Sequence, residues 1–137
     1  MSGRDFPGRG YLPQALTHGT LECDDKEASA RFYRDVLGLE IAGGGRISTY
    51  IKHPATPWYI VALPMPKRKK FLSAGNRFTL TVASEEEVSK AHRGFGASGK
   101  TAGITALEDV KREDGQASFQ FADLDRNWWE VTATASG

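Results

Sequence analysis

Residues 17–39 read THGTLECDDKEASARFYRDVLGL and predict a strand, a capped helix and the turn that leaves the helix. Alternation along the strand places His18 and Thr20 on one face and Leu21 and Cys23 on the other. A helix that packs on one face of this strand would cover Leu21 and Cys23. The face that carries His18 is then left for another role.

The helix in this stretch has recognisable signals at both ends. Asp24 or Asp25 is placed to cap its N-terminus, and Gly38 is placed to end it. An apolar stripe recurs at every fourth residue: Ala28, Phe32 and Val36. We therefore predict a helix over residues 26–37.

Composition restricts the class of protein. A chain of 137 residues favours one domain, and a net charge of +1 argues against a nucleic-acid partner. No apolar run reaches the roughly 18 residues of a membrane span, so no membrane partner is expected. The single cysteine, Cys23, excludes an internal disulfide framework and fits the reducing cytoplasm.

The opening pattern returns later in the chain. Leu80 follows Leu21 by 59 residues, and Val82 follows Cys23 by the same number. Ser84 and Glu87 then form an S-x-x-E capping signal, and a second helix is predicted over residues 85–95. An internal repeat at a constant offset predicts two similar modules.

Each module is predicted to have the order β-α-β-β-β. In the first module the later strands are expected at residues 39–42, 46–52 and 58–63. In the second, a first strand at 77–83 and a glycine-rich loop at 97–102 are expected, with later strands at 104–112, at 117–122 and within 123–133. The predicted division is a loose arm over 1–14 and one domain over 15–137, made of module one (15–63), a linker (64–76) and module two (77–134).

Two motifs carry a family resemblance. The first is the strand histidine followed by FYRDVLGL at residues 32–39, and the second is DLDRNWWE at residues 123–130. The second is similar to a D-P-D-G-N-x-x-E turn and strand, from which Leu124 and Arg126 depart at the Pro and Gly positions. Together they resemble the vicinal oxygen chelate family, which includes glyoxalases, fosfomycin and bleomycin resistance proteins and extradiol dioxygenases.

This resemblance implies an α+β fold in which two paired βαβββ modules form a curved mixed sheet. The helices are expected outside and a cleft inside, and a homodimer is expected because family members usually close the cleft in that way. The family's four inward ligand positions fall on His18, Ile60, Arg77 and Glu130 in this sequence. Ile60 results from matching the stretch WYIV at residues 58–61 to WWEV at residues 128–131.

The resemblance further implies a divalent metal, Fe, Mn or Zn, with His18 and Glu130 as its ligands. Two histidines and one carboxylate are the usual set for non-haem iron. Arg77 occupies the third position, and its permanent positive charge cannot ligate a cation and repels one. His53, in a predicted loop, and His92, on a predicted helix, are the remaining histidines.

The predicted cleft is unusually polar. Thr20 and Thr79 alternate onto its face, and Trp58 and Trp128 are expected to stack on a flat ligand. Arg77 and Glu130 could alternatively form a salt bridge across the sheet. The predicted substrate-binding residues are therefore Arg77, Trp58, Trp128, Thr20 and Thr79.

The sequence leaves two functions open. The first is an enzyme of lyase, isomerase or ring-cleaving dioxygenase type that acts on a small oxygen-rich or aromatic, anionic molecule. In that case Glu130 and His18 are the catalytic residues, Glu130 as general base, and Arg77 binds a carboxylate or enolate. The alternative is a bleomycin-resistance-like protein that sequesters a flat small molecule without turnover.

Overall fold

The structure, a computed structural model, describes residues 14–43, 47–67 and 70–134. In these ranges the chain forms nine strands and two helices. The first module contains β1 (His18–Cys23), α1 (Lys26–Asp35), β2 (Glu40–Ala42), β3 (Thr49–Lys52) and β4 (Tyr59–Pro64). The second contains β5 (Arg77–Thr81), α2 (Glu85–Ala102), β6 (Ala106–Leu107), β7 (Lys111–Glu113), β8 (Gln116–Ala122) and β9 (Trp128–Thr134).

The first module is a four-stranded mixed sheet in the order β1-β4-β3-β2. β1 and β4 are parallel, with His18 beside Tyr59 and Leu21 beside Ala62. Leu21 and Cys23 are buried, and α1 packs against β2, β3 and β4. The prediction that one face of β1 is covered is therefore confirmed.

The second module repeats this arrangement. Its sheet has the order β5-β9-β8-β6, and β7 also pairs with β8. β5 and β9 are parallel, with Arg77 beside Trp128 and Thr79 beside Glu130. The first strand and the helix of each module begin at residues 18 and 26, and again at 77 and 85. The predicted fold class of two paired βαβββ modules is confirmed, with the strands divided into a sheet of four and a sheet of five.

The strand predicted over residues 104–112 is in fact two short strands. Leu107 pairs with Phe121, whereas Lys111 pairs with Ser118. From Leu107 to Lys111 the edge segment advances by four residues, while its partner β8 advances by only three, from Phe121 to Ser118. The edge segment therefore contains one extra residue. Such a bulge bends an edge strand and interrupts its pairing.

The second helix is longer than predicted. It continues through Gly94 and Gly96 to Ala102 and ends at Gly103, whose φ is +116°. The backbone N–H of Ile104 then donates to the carbonyl of Gly99 at 2.7 Å, which closes the helix end. The predicted glycine-rich loop at 97–102 is therefore wrong, since these residues form the last turns of the helix.

The predicted caps are present. The Asp25 carboxylate accepts hydrogen bonds from the amides of Glu27 and Ala28, and the Ser84 hydroxyl accepts one from the Glu87 amide. Gly38, just after α1, has a φ of +70°, as expected of the glycine that terminates a helix.

The two modules share one apolar core. The Phe78 ring lies 6.1 Å from the ring of Trp58 and 5.3 Å from the ring of Trp129. Tyr33 of α1 packs against Trp129 with ring centroids 5.5 Å apart. Both Tyr33 and Trp129 are fully buried. The core therefore fixes the second sheet against the first helix.

Some predictions fall outside the described ranges. The arm predicted over residues 1–14 lies there except for Gln14, as does the first residue of the strand predicted over 46–52. The division into modules at 15–63 and 77–134, with a linker at 64–76, stays a prediction. Neither helix in the described part of the chain is long and apolar enough to cross a membrane.

Candidate functional site

Each sheet has a helix face, which packs against its own helix, and an open face on the other side. In the second module, parallel register places Arg77 with Trp128, and Thr79 with Glu130, on the open face. In the first module, His18 and Thr20 alternate with the buried Leu21 and therefore lie on the open face. The predicted site residues, Trp58 excepted, thus lie on the two open faces.

Three of the predicted residues are in contact. The Arg77 Nε lies 3.5 Å from Oε1 of Glu130, and the Thr79 hydroxyl donates to the same oxygen at 3.3 Å. The Arg77 guanidinium also donates to the carbonyl of Ala74 at 3.2 Å. The Glu130 side chain is 17% exposed and that of Arg77 is 32% exposed, so the pair is partly withdrawn from water.

Arg77 of this pair lines a cavity of about 780 Å³, whereas Glu130, its partner, is not one of the lining residues. The cavity combines both modules, since Thr20 and Glu22 come from β1 while Arg77 and Trp128 come from β5 and β9. The linker supplies a further wall. The volume of the cavity falls within the roughly 300–1,000 Å³ range of small-molecule sites. The structure therefore gathers three of the predicted substrate-binding residues, Thr20, Arg77 and Trp128, around one cavity.

His18 lies farther along the open face of β1. Its ring stacks on Tyr59 with centroids 5.0 Å apart, and its Nδ1 shares a hydrogen bond of 2.8 Å with the hydroxyl of Thr17. The side chain is exposed and does not line the cavity. These contacts of His18 are within its own module, whereas those of Glu130 are with Arg77 and Thr79.

Trp58 is placed differently from the prediction. It precedes β4 and shares the parity of Ile60 and Ala62, which are buried on the helix face. Its ring packs beside Gly19 and Phe78 and lines a second cavity of about 450 Å³. Arg77 and Thr79 also line this second cavity, whereas Trp128 does not, and the expected stacking of Trp58 and Trp128 on one ligand stays a prediction.

The position predicted for Ile60 also needs correction. The register pairs Tyr59 with His18 and Trp128 with Arg77, so Tyr59 corresponds to Trp128. The residue that corresponds to Glu130 is then Val61, one place after Ile60. Because side chains alternate, this single step moves Ile60 from the cleft to the helix face.

The sequence matches the model of the Glyoxalase/Bleomycin resistance protein/Dioxygenase superfamily over residues 15–131. The chain belongs to this superfamily. A comparison with curated protein sequences gives no significant match.

Solved structures of superfamily proteins have a similar fold. The lactoylglutathione lyase of Agrobacterium tumefaciens is 22% identical, with a TM-score of 0.65 over 90% of this chain and 96% of that one. The fosfomycin resistance protein FosX of Listeria monocytogenes is 18% identical, with a TM-score of 0.69 over 89% of this chain and 94% of that one. A mutant of that FosX was solved with Mn(II) and 1S,2S-dihydroxypropylphosphonic acid, and it is 18% identical with a TM-score of 0.65 over 88% and 90%. At these identities the likeness shows the fold alone.

The residues of this superfamily member do not fit a three-ligand metal site within one chain. Across residues 14–43, 47–67 and 70–134, no three His, Cys, Asp or Glu side chains are grouped to hold an ion. Arg77 stands at one of the expected ligand positions and is engaged with Glu130. A guanidinium offers no lone pair to a metal, and its charge opposes one.

A buried carboxylate fixes the turn before the strand that carries Glu130. Asp123 is fully buried and accepts four hydrogen bonds. Its Oδ1 accepts from the amides of Asp125 and Asn127 at 2.9 and 3.0 Å, and its Oδ2 accepts from the Tyr33 hydroxyl and the Trp129 indole at 2.5 and 3.0 Å. A buried charge is tolerated when it is paired in this way.

This environment has an effect on Tyr33. Burial, together with the nearby Asp123 carboxylate and the hydrogen bond to it, raises the pKa of the Tyr33 hydroxyl well above its usual value. The hydroxyl therefore remains protonated and donates to Asp123.

Sequence reasoning missed the linker wall of the cavity. Lys70, Phe71 and Leu72 line it together with Arg77 and Trp128. The available signal was an apolar pair, Phe71 and Leu72, that directly follows a run of cations in a predicted linker. Large apolar side chains in such a polar loop indicate contact with another surface.

Proposed function

We propose that the chain binds a small anionic molecule, oxygen-rich or aromatic, in the cavity that Arg77 and residues of both modules line, and moves a proton on it. The contact between Arg77 and Glu130 carries this proposal. A planar guanidinium binds carboxylates and enolates well, and a partly buried carboxylate held beside it can act as a general base. The neighbouring Trp128 offers an aromatic surface to the ligand.

The contacts of Glu130 indicate different roles for its two carboxylate oxygens. Oε1 receives both the Thr79 hydroxyl and the Arg77 Nε. Oε2 is then the atom that takes a proton from a carbon next to the ligand's carboxylate or carbonyl. Arg77 would stabilise the enolate that forms, and the same carboxyl would return the proton. This isomerase or lyase type of chemistry uses only residues that the chain supplies.

The alternative is sequestration of a flat small molecule without turnover, as in a bleomycin resistance protein. This alternative is favoured by the presence of Arg77 at an expected metal-ligand position, since binding without turnover requires no metal. It is opposed by the placement of Glu130, because a carboxylate beside the anion-binding Arg77 weakens anion binding. A protein that only sequesters its ligand gains nothing in return for that weaker binding.

Solvent-proton exchange separates these two functions. Phenylpyruvate in deuterium oxide would be followed by nuclear magnetic resonance at the carbon next to its carbonyl. We expect the parent protein to accelerate deuterium uptake, Glu130→Gln to abolish the acceleration but retain binding, and Arg77→Gln to weaken binding. Binding that depends on Arg77 without any acceleration of exchange would identify the sequestering function instead. Failure of the parent to bind the anion would refute both.

Two further properties belong to this proposal. β1 and β5 each lie at the end of their sheet's strand order, and a homodimer would extend the cavity beyond one chain. Light scattering that gives the mass of a single 15.0 kDa chain would refute the dimer. Location in the cytoplasm rests on the use of one cysteine and stays a prediction.

A further inference from the structure

The linker contributes large, partly exposed apolar side chains to the wall of the cavity. Phe71 is 41% exposed and Leu72 is 71% exposed, and both line the cavity that Arg77 and Trp128 also line. Apolar side chains in the wall of a cavity can cover an apolar part of a ligand. Arg77 lines the same cavity, and its cation can bind the anionic part of that ligand.

Phe71 is held in place by a residue from the second module. The guanidinium carbon of Arg126 lies 4.6 Å from the centre of the Phe71 ring, within the range of a cation–π contact. Arg126 is in the turn before β9 and has a φ of +64°, a conformation that favours glycine. It is also the position at which the chain departs from the glycine of the D-P-D-G-N-x-x-E pattern. This chain therefore accepts an unfavourable backbone conformation at a residue whose side chain holds the linker.

We propose that Phe71, held by Arg126, determines the ligand class of the cavity: an anion that carries an aromatic or similarly bulky apolar group. This inference rests on the proposed function, since it assumes that Arg77 binds the anionic group. In the resulting arrangement Arg77 binds the head of the ligand, while Phe71, Leu72 and Trp128 contact its apolar group. A short anion with no apolar group fills only the Arg77 end of a cavity of about 780 Å³.

Paired ligands test this inference. Pyruvate and phenylpyruvate carry the same anionic head and differ by a phenyl ring. Isothermal titration of both into the parent protein is expected to show roughly tenfold tighter binding of phenylpyruvate. Phe71→Ala should reduce this preference by roughly three- to tenfold and leave the affinity for pyruvate unchanged.

Arg126→Gly tests the contact between Arg126 and Phe71 without disturbing the turn that carries residue 126. Glycine suits a φ of +64°, so the turn remains intact while the contact with Phe71 is lost. We expect a smaller loss of preference than in Phe71→Ala, of roughly two- to fivefold. Ile47→Ala is the matched control, because Ile47 is an exposed apolar residue, 68% exposed, that does not line the cavity. It should change neither affinity.

The outcomes distinguish the inference from the proposed function. If both anions bind through Arg77, as judged by Arg77→Gln, but the phenyl ring adds no affinity, the inference is wrong and the function stands. A preference for phenylpyruvate that survives Phe71→Ala also overturns the inference. If neither anion binds, or if binding is indifferent to Arg77→Gln, the proposed function is wrong and the inference falls with it.

Discussion

The hydroxyl of Tyr33 donates to Oδ2 of Asp123 at 2.5 Å, and the two residues belong to different modules. The same turn makes two further bonds to the end of β1. The Asp24 amide donates to Asp125 at 2.9 Å, and the Asn127 side chain donates to the carbonyl of Glu22 at 2.8 Å. These contacts join the first helix and first strand to the turn that precedes β9, and hence to Glu130.

Removal of the Tyr33 hydroxyl should destabilise the protein. In Tyr33→Phe the buried Asp123 loses one of its four donors, and a hydrogen bond to a charged group contributes about 1.5–3 kcal/mol. Urea unfolding should show a loss of that size. Tyr50→Phe is the control, since Tyr50 is half-buried and packs against Tyr59 on the open face. An equal loss in both variants would show that the hydrogen bond to Asp123 does not contribute to the free energy of unfolding beyond the effect of removing any tyrosine hydroxyl.

Alkaline pH should weaken the fold through the same residue. The pKa of Tyr33 is raised in the folded protein, so an unfolded chain releases this proton near its usual pKa of about 10 while the folded chain still holds it. Stability from Tyr33 is therefore complete below the unfolded pKa and falls as pH rises above it, by up to about 1.4 kcal/mol per pH unit. Ultraviolet absorbance of the parent, compared with Tyr33→Phe, should show that the Tyr33 hydroxyl does not ionise until the protein unfolds. The difference in stability between parent and Tyr33→Phe should shrink above pH 10; a constant difference would contradict the prediction.

Two glycines of α2 should respond differently to alanine. A Cβ on Gly94 would meet nothing within 4 Å, so Gly94→Ala should stabilise the helix by about 0.5–1 kcal/mol. A Cβ on Gly99 would lie 2.8 Å from Cδ1 of Ile104, so overpacking should offset that gain. Thermal or urea unfolding should rank Gly99→Ala below Gly94→Ala by at least about 1 kcal/mol. The opposite order would mean that Ile104 moves aside freely.

Arg77→His should raise the affinity of the protein for transition metals. The substitution removes a repelling cation and supplies an imidazole ligand beside Glu130. Titration with Fe(II), Mn(II) and Zn(II) should show binding tighter than that of the parent by more than about tenfold, or roughly 1.4 kcal/mol. Arg112→His is the matched control, because Arg112 is also an arginine paired with a glutamate, Glu85. If the parent already binds a metal tightly and Arg77→His does not change that affinity, then Arg77 does not lie in the metal site.

Local signals in the sequence were sufficient to predict the architecture. Alternation and caps are patterns of neighbouring residues, and the constant offset of 59 residues is a repeat visible along the sequence. Together they placed β1, β5 and the starts of both helices correctly. The end of α2 was missed because residues 97–102, which follow Gly94 and Gly96, were predicted to form a glycine-rich loop. A glycine in a helix costs only about 1 kcal/mol, and the packing of Gly99 on Ile104 continues the helix past both.

The site was less predictable because its geometry depends on pairing between distant strands. The contact of Arg77 with Glu130 followed from family positions, and the structure contains it. Trp58 was assigned by matching one aromatic pair to another, whereas the face of a strand is set by its register, here His18 beside Tyr59. The wall formed by Phe71 lies in a linker without periodicity, where sequence carries no signal for orientation.

Because β1 pairs in parallel with β4, it has no partner on the ribosome until residue 64 has been synthesised. β5 likewise waits for β9, whose last residue paired with β5 is Thr132. The first module can therefore close during translation, but the Tyr33 hydroxyl remains without Asp123 until the turn before β9 has emerged. The growing chain would thus carry a half-finished core, with the apolar surface that Trp129 later covers still exposed to chaperones.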